Sequence, residues 1–157
     1  MTASRKRSRK RSASSKPPDP VFFVERSLGS HIVANALRTA GAQVTTQAEQ
    51  GIPADAGDEV WLELAGRHGW VALTKDTRIV TRQNEIDLLM TAGVAAFVLR
   101  RGSLQGPEVA QIFVNALPQM RRLLAQTKRP FVGGITRVGR VRVLMTEKQW
   151  KRTLRRG

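Results

Sequence analysis

The stretch Gly69-Trp70-Val71-Ala72-Leu73-Thr74-Lys75-Asp76 constrains the fold more than any other. Its apolar run shows no polar alternation, follows a helical segment and stops abruptly in polar residues. A continuous apolar run bounded in this way reads as a central parallel strand, buried on both faces. In open α/β sheets the ligand site lies just past the carboxyl ends of such strands. Asp76 falls there.

The rest of the chain repeats the same alternation. Val21-Phe22-Phe23-Val24 reads as a first strand with Glu25 at its end. A helix follows, capped by Ser27 or Ser30, with Leu28, Ile32, Ala36, Leu37 and Ala40 on one stripe and Gly41 as its stop. Residues 42–46 make a short second strand, and 47–57 a loop. Asp58 is placed to N-cap the next helix, whose apolar face includes Trp61, Leu64 and Ala65 and which ends at Gly69. After the strand Trp70 to Thr74, a loop rich in Arg and Thr leads to a helix through Glu85, Ile86, Leu88 and Leu89, closed by Gly93. Val94 to Leu99 is the fourth strand. This βαβαβαβ order with short connections predicts an α/β fold whose parallel sheet is covered on both faces. Pro107 suits the first turn of a longer helix with Val109, Phe113, Val114 and Leu117 inward, and Pro118 is expected to kink or break it. Two β-rich runs between Val132 and Leu144 flank Val138-Gly139, a hairpin signal. Thr146-Glu147-Lys148-Gln149 matches a capping box opening a short basic helix.

Charge divides the chain. Of 157 residues, 1–16 hold seven Lys/Arg and no acid, and 128–157 hold ten Lys/Arg with Glu147 alone against them. The stretch 17–127 is close to neutral, although the whole carries a formal +15. The expected organisation is a basic tail over 1–20, an α/β domain over 21–127, and a basic hairpin and helix over 128–157 that packs on or extends it. The tail holds too few apolar residues to offset ordering entropy and reads as disordered, either a solubilising tail or a tether for RNA or DNA. Basic segments at each end of a neutral domain point to a polyanion, most simply nucleic acid. Neither has the wide apolar face that a membrane surface requires, and no apolar run reaches the roughly 18 residues of a membrane span. The basic N-terminal region lacks the apolar stretch of a secretory signal; its Arg/Ser-rich character overlaps with organelle transit peptides, without their regular apolar face. Absence of Cys excludes disulfides and thiolate metal sites and is compatible with a reducing, cytoplasmic setting.

Glu25 follows strand one and Asp76 strand three, and these strands are neighbours across the switch point of a right-handed doubly wound sheet. Asp58 or Glu59 opens the helix running into strand three, so it starts at that strand's carboxyl end. Carboxylates brought to one edge repel unless a cation neutralises them. Hard Mg²⁺ or Mn²⁺ suits oxygen ligands and can activate water for attack on a phosphate. Each acid also has a simpler reading: Asp58 as a cap, Glu59 as an exposed first-turn acid, Asp76 as a turn residue capping Arg78, and Glu25 as a partner of Arg26 or Arg38. Ser27 and Thr74 lie beside the acids, either to meet a phosphate or water or to cap turns. Lys75, Arg78 and Arg82 follow the site and can clamp a phosphate backbone, as can Arg137, Arg140 and Arg142 in the hairpin; otherwise they are solvated basic surface. His31 and His68 read as structural or exposed, Trp61 and Trp70 as core. Trp150, among basic residues, either stacks on a base or packs on the domain.

Phe22-Phe23-Val24-Glu25-Arg26-Ser27-Leu28-Gly29, Asp58-Glu59-Val60-Trp61-Leu62 and Gly69 to Ile79 together resemble the PIN-like domain family of VapC type, with Glu85 and Ala96-Phe97-Val98-Leu99 fitting its pattern. The resemblance covers about residues 21–135. It implies a three-layer α/β/α sandwich around a central parallel sheet, to which the C-terminal hairpin and short helix are added. It implies an endoribonuclease dependent on Mg²⁺ or Mn²⁺, with an RNA substrate and, where such a domain is a toxin, an antitoxin protein; a homodimer is a further expectation. Glu25, Asp58 and Asp76 would hold the metal, with Glu59 as a close substitute and Glu85 as an outer acid or an exposed helix residue. The family pattern has Asp where this chain has Glu25. The charge is kept, but the side chain is one methylene longer, and Mg²⁺ requires near-ideal octahedral geometry. The alternative is a non-catalytic nucleic-acid-binding protein on the same fold with a weakened acidic site. A phosphorylated receiver-like switch would need an acidic pair after strand one and a Lys after a late strand. Here Glu25 stands alone before Arg26, and Lys75 lies beside Asp76.

Overall fold

Two strands that end side by side, β1 (Val21–Val24) and β3 (Val71–Thr74), organise the molecule. With β2 (Gln43–Thr46), β4 (Ala95–Leu99), β5 (Phe131–Ile135) and β6 (Val141–Thr146) they form one sheet in the order β2-β1-β3-β4-β5-β6. Every pairing is parallel except that of β6 on β5. The structure is a computed structural model describing residues 19–29, 31–100 and 104–156. Most of the expected basic tail, and Ser30 as a candidate cap, lie outside them.

All positions of β3, β4 and β5 are buried, which is why these strands read as apolar runs without alternation. On one face α1 (Ile32–Thr39) and α5 (Gly106–Gln126) enclose Phe22, Leu37, Phe97, Phe113 and Phe131. On the other, α2 (Asp58–His68), α3 (Arg78–Thr81) and α4 (Gln83–Ala92) enclose Phe23, Trp61, Leu89, Val98 and Val132. Phe22 and Phe23 serve opposite cores because successive strand residues point to opposite faces. The expected three-layer α/β/α sandwich is thus observed. A last helix, α6 (Glu147–Arg156), follows β6 through the expected capping box: Thr146 N donates to Gln149 Oε1 (2.8 Å) and Gln149 N to Thr146 Oγ1 (3.1 Å). No helix of the described residues is long and apolar enough to cross a membrane.

Several local expectations give way. Helix α1 starts after His31 with no side-chain cap, and its inward face is Val33, Ala34 and Leu37, while Ile32 is 44% exposed. The misplaced stripe began at Leu28, which belongs to a separate turn of 3₁₀ helix, Arg26–Leu28, and so shifted the phase. Gly57, not Asp58, occupies the N-cap of α2. The loop after Asp76 contains α3. Pro118 neither breaks nor ends α5; it sits on the exposed side, while buried Phe113, Leu117 and Met120 hold the helix to the sheet. Trp150 packs rather than presenting a base platform: its indole N–H donates to Asp87 Oδ1 at 2.7 Å, tying α6 to α4.

Two contacts set where the acids end up. Gly66 of α2 lies against α4 so closely that a Cβ there would come within 2.2 Å of the Ala92 carbonyl oxygen. Phe23 is stacked between Trp61 (5.5 Å) and Trp70 (5.7 Å), fixing α2 on the sheet.

Candidate active site

The carboxyl ends of β1 and β3 are locked together by backbone. Val24 is level with Leu73, Glu25 N donates to the Leu73 carbonyl (3.0 Å), and Gln47 N donates to the Val24 carbonyl (3.2 Å). Glu25 therefore emerges beside Thr74, and the turn to Asp76 begins one residue further on.

Glu25 is 6% exposed, unusual for a carboxylate. Its Oε1 accepts from Ser27 Oγ (2.5 Å) and Thr74 Oγ1 (2.6 Å). The two hydroxyls are 3.1 Å apart and also accept from the turn backbone, Ser27 from Lys75 N (3.1 Å) and Thr74 from Asp76 N (3.0 Å). Ser27 and Thr74 thus cap the turn and fix one oxygen of Glu25. Neither Arg26 nor Arg38 pairs with Glu25: Arg38 binds Glu49 at 2.7 Å.

Asp76 is held by Arg78. Its Oδ1 accepts from Arg78 N (3.1 Å) and Nε (2.8 Å), and its Oδ2 from the guanidinium. The bonds and charge of Arg78 set the Asp76 carboxyl below its usual range against the opposing effect of burial, and Asp76 in turn raises Arg78.

Across the cleft, Asp58 Oδ1 accepts from the Trp61 indole (3.0 Å). Glu85 at the start of α4 is pushed up by partial burial, by hydrogen bonding with Asp58 and by the charges of Asp58 and Asp76. Glu59 is exposed and folds back toward Gly57, where a Cβ would lie 2.3 Å from its Oε1.

These groups line one cleft of about 600 Å³, with Glu25, Asp55, Asp58, Glu59, Asp76 and Glu85 set against Arg26, Lys75 and Arg78. All five acids expected at the site are in it. Lys75 and Arg78 line it too; Arg82 acts on Asp76 through its charge. Arg137 and Arg142 lie elsewhere, in a second cleft with Arg100, and Arg140 lines neither. In donor chemistry the acidic cleft fits a hard divalent cation: its anionic groups are all carboxylates, and Asp58 and Asp76 already disfavour ionisation of Glu85. Yet among the described residues no three acidic or histidine side chains form a ready-made cation cage.

Sequence reasoning missed Gln47 and Asp55. Gln47 is buried; its Oε1 accepts from Arg26 N (3.1 Å) and its Nε2 donates to the Pro53 carbonyl (3.2 Å), holding the 47–57 loop over the acids. A polar residue just past a short edge strand has no periodicity to reveal this. Asp55 sits in a loop where acids are common.

A PIN-like domain family model matches residues 20–101. The chain is 30% identical over 126 residues to the Mycobacterium tuberculosis protein named "Putative ribonuclease VapC45", an overlap of 78% of this chain and 91% of that protein. No solved structure matches. The chain belongs to the PIN-like domain family.

Proposed function

We propose that this PIN-like domain is a metal-dependent endoribonuclease, acting as the toxin of a toxin–antitoxin pair in the cytoplasm. The observation that carries the reading is the meeting of Glu25, Asp58 and Asp76 in one cleft at the carboxyl edge of β1 and β3. Mg²⁺ or Mn²⁺ held by these three, with Glu59 and Glu85 beside them, would neutralise phosphate charge and supply a water acidic enough to attack near neutral pH. Ser27 and Thr74 keep Glu25 from rotating away, so its charge is aimed before substrate arrives. Arg78 stands at the cleft wall, bonded to Asp76, where its guanidinium would be within reach of a phosphate oxygen of a strand lying in the cleft. Lys75 adds positive charge on the same wall.

The test is cleavage of labelled single-stranded RNA by the full chain with Mg²⁺ or Mn²⁺, with EDTA, and by Asp76→Asn. Metal-dependent cleavage lost in the variant is the expected result, and Glu25→Asp then measures the effect of the longer acid. Co-purification of a native partner and a growth defect on expression test the toxin role. Light scattering tests for a homodimer.

One observation favours the alternative, a non-catalytic RNA binder: Arg78 already occupies both oxygens of Asp76. That reading predicts salt-sensitive RNA binding indifferent to Asp76→Asn, without cleavage in either metal.

A further inference from the structure

A second cleft, of about 460 Å³, opens further along the same sheet edge, past the carboxyl ends of β4 and β5. Three arginines line it and no carboxylate does: Arg100 after β4, Arg137 in the β5–β6 turn, and Arg142 on β6 opposite Gly134. Among the described residues none of the three makes an ion pair or a side-chain hydrogen bond, whereas Arg38, Arg67 and Arg78 each pair with an acid. Gathering three unpaired guanidinium groups is unfavourable unless an anion meets them. The turn that carries Arg137 is held in place: Thr136 N donates to the Arg140 carbonyl (2.8 Å), and Val141 N to Gln119 Oε1 on α5 (3.0 Å). A Cβ on Gly134 would press on the Leu144 side chain at 2.8 Å, and Val138, 71% exposed, gives the cleft an apolar wall. Arginines beside an apolar wall suit a nucleotide, because a guanidinium pairs with its phosphate and can also stack on its flat base.

We propose that the Arg100–Arg137–Arg142 cleft binds a nucleotide of the RNA strand that flanks the one held at the acids. β5 lies two strands from β3, about 10 Å along the edge at ordinary strand spacing. A single-stranded backbone covers that distance within a few nucleotides. The assignment rests on RNA being the substrate of the acidic cleft, and it divides the work: the acidic cleft acts on the phosphodiester, and the arginine cleft sets where along the strand it is presented.

The experiment is binding of fluorescent short and long oligouridylates to the full chain in EDTA, so that nothing is cleaved, across a salt series. The triple variant Arg100→Gln/Arg137→Gln/Arg142→Gln is compared with Arg152→Gln/Arg155→Gln/Arg156→Gln, which removes the same charge from α6. Expected is a several-fold greater loss for the cleft variant on the long oligomer, with little difference on the short one. Its log–log salt slope should fall by at least about 0.7, the value of one phosphate contact on a single strand. Thermal melting confirms that both variants fold; the six arginines are exposed. Equal losses from the two variants overturn the proposal. So does tighter binding of polyglutamate than of oligouridylate to the wild-type cleft, which would make the occupant an acidic polypeptide. Failure of wild type to cleave RNA in Mg²⁺ or Mn²⁺, with the selective loss retained, overturns the nuclease reading and leaves the binding cleft standing.

Discussion

Thr74→Val is the sharpest probe of how Glu25 is held. Valine nearly matches threonine in shape, so packing is kept and only the hydroxyl goes. That hydroxyl is 1% exposed as part of Thr74 and sits 2.6 Å from Glu25 Oε1. A hydrogen bond to a charged group contributes about 1.5–3 kcal/mol. The Asp76 N–H, 3.0 Å from the same oxygen, also loses its acceptor, at about 1 kcal/mol or more where water cannot reach it. Ser27 continues to donate to Glu25, which limits the damage. The expected loss is about 3 kcal/mol, or a Tm lower by about 6–12 °C for a domain of this size. Thr74→Ser keeps the hydroxyl and gives up one methyl, about 1 kcal/mol. Melts of the two variants beside wild type, each with a Mn²⁺ titration, form the assay. Thr74→Val should melt below Thr74→Ser and bind Mn²⁺ more weakly. If the two melt together, the hydroxyl does not hold Glu25 and the argument for a pre-aimed carboxylate fails.

Arg78→Gln should leave thermal stability almost unchanged at neutral pH, because the pair is exposed on the arginine side, yet tighten Mn²⁺ binding by freeing both oxygens of Asp76; weaker binding would contradict this competition. The same pair has a pH signature. Since Arg78 lowers the Asp76 carboxyl, the stability it gives is present above the ordinary carboxylate range and is lost as pH falls through the lowered value. The small difference in stability between Arg78→Gln and wild type should therefore shrink as pH falls through that value, and a difference that widens in acid would refute this. Gly66→Ala should cost about 1–3 kcal/mol, because the new Cβ meets backbone rather than a yielding side chain. By forcing α2 from α4 it should also weaken Mn²⁺ binding at a distance, and an unchanged melt would show that the helices can separate freely. Trp150→Phe keeps most of the ring but removes the bond to Asp87, so α6 should become a preferred site of limited proteolysis with about 1–2 kcal/mol lost; protection equal to wild type would place the anchor elsewhere.

The order of elements and the position of the acids along the chain are legible in the residue pattern alone. Apolar runs such as Trp70 to Thr74 and Val94 to Leu99 needed no context, because a strand buried on both faces has to be apolar throughout. Their boundaries followed from Gly69 and Gly93, which end α2 and α4 at φ near +70°. That order also placed Glu25 and Asp76 at adjacent strand ends, since a parallel sheet switches direction between them. Helix phase was less legible: a turn of 3₁₀ helix after Glu25 has a different period from α1, so one stripe drawn through both caught buried Leu28 and Leu37 but turned Ile32 inward in place of Val33 and Ala34. Contacts between residues far apart in the chain emerge only once the sheet is assembled. The Ser27–Glu25–Thr74 lock spans 49 positions, Trp150 finds Asp87 across 63, and Arg100 joins Arg137 and Arg142 only because β5 adds to β4 in parallel. None leaves a periodic trace, because short polar side chains at strand ends and turns are free to bond locally or across the sheet. Parallel register, set by the buried strands, selects between the two.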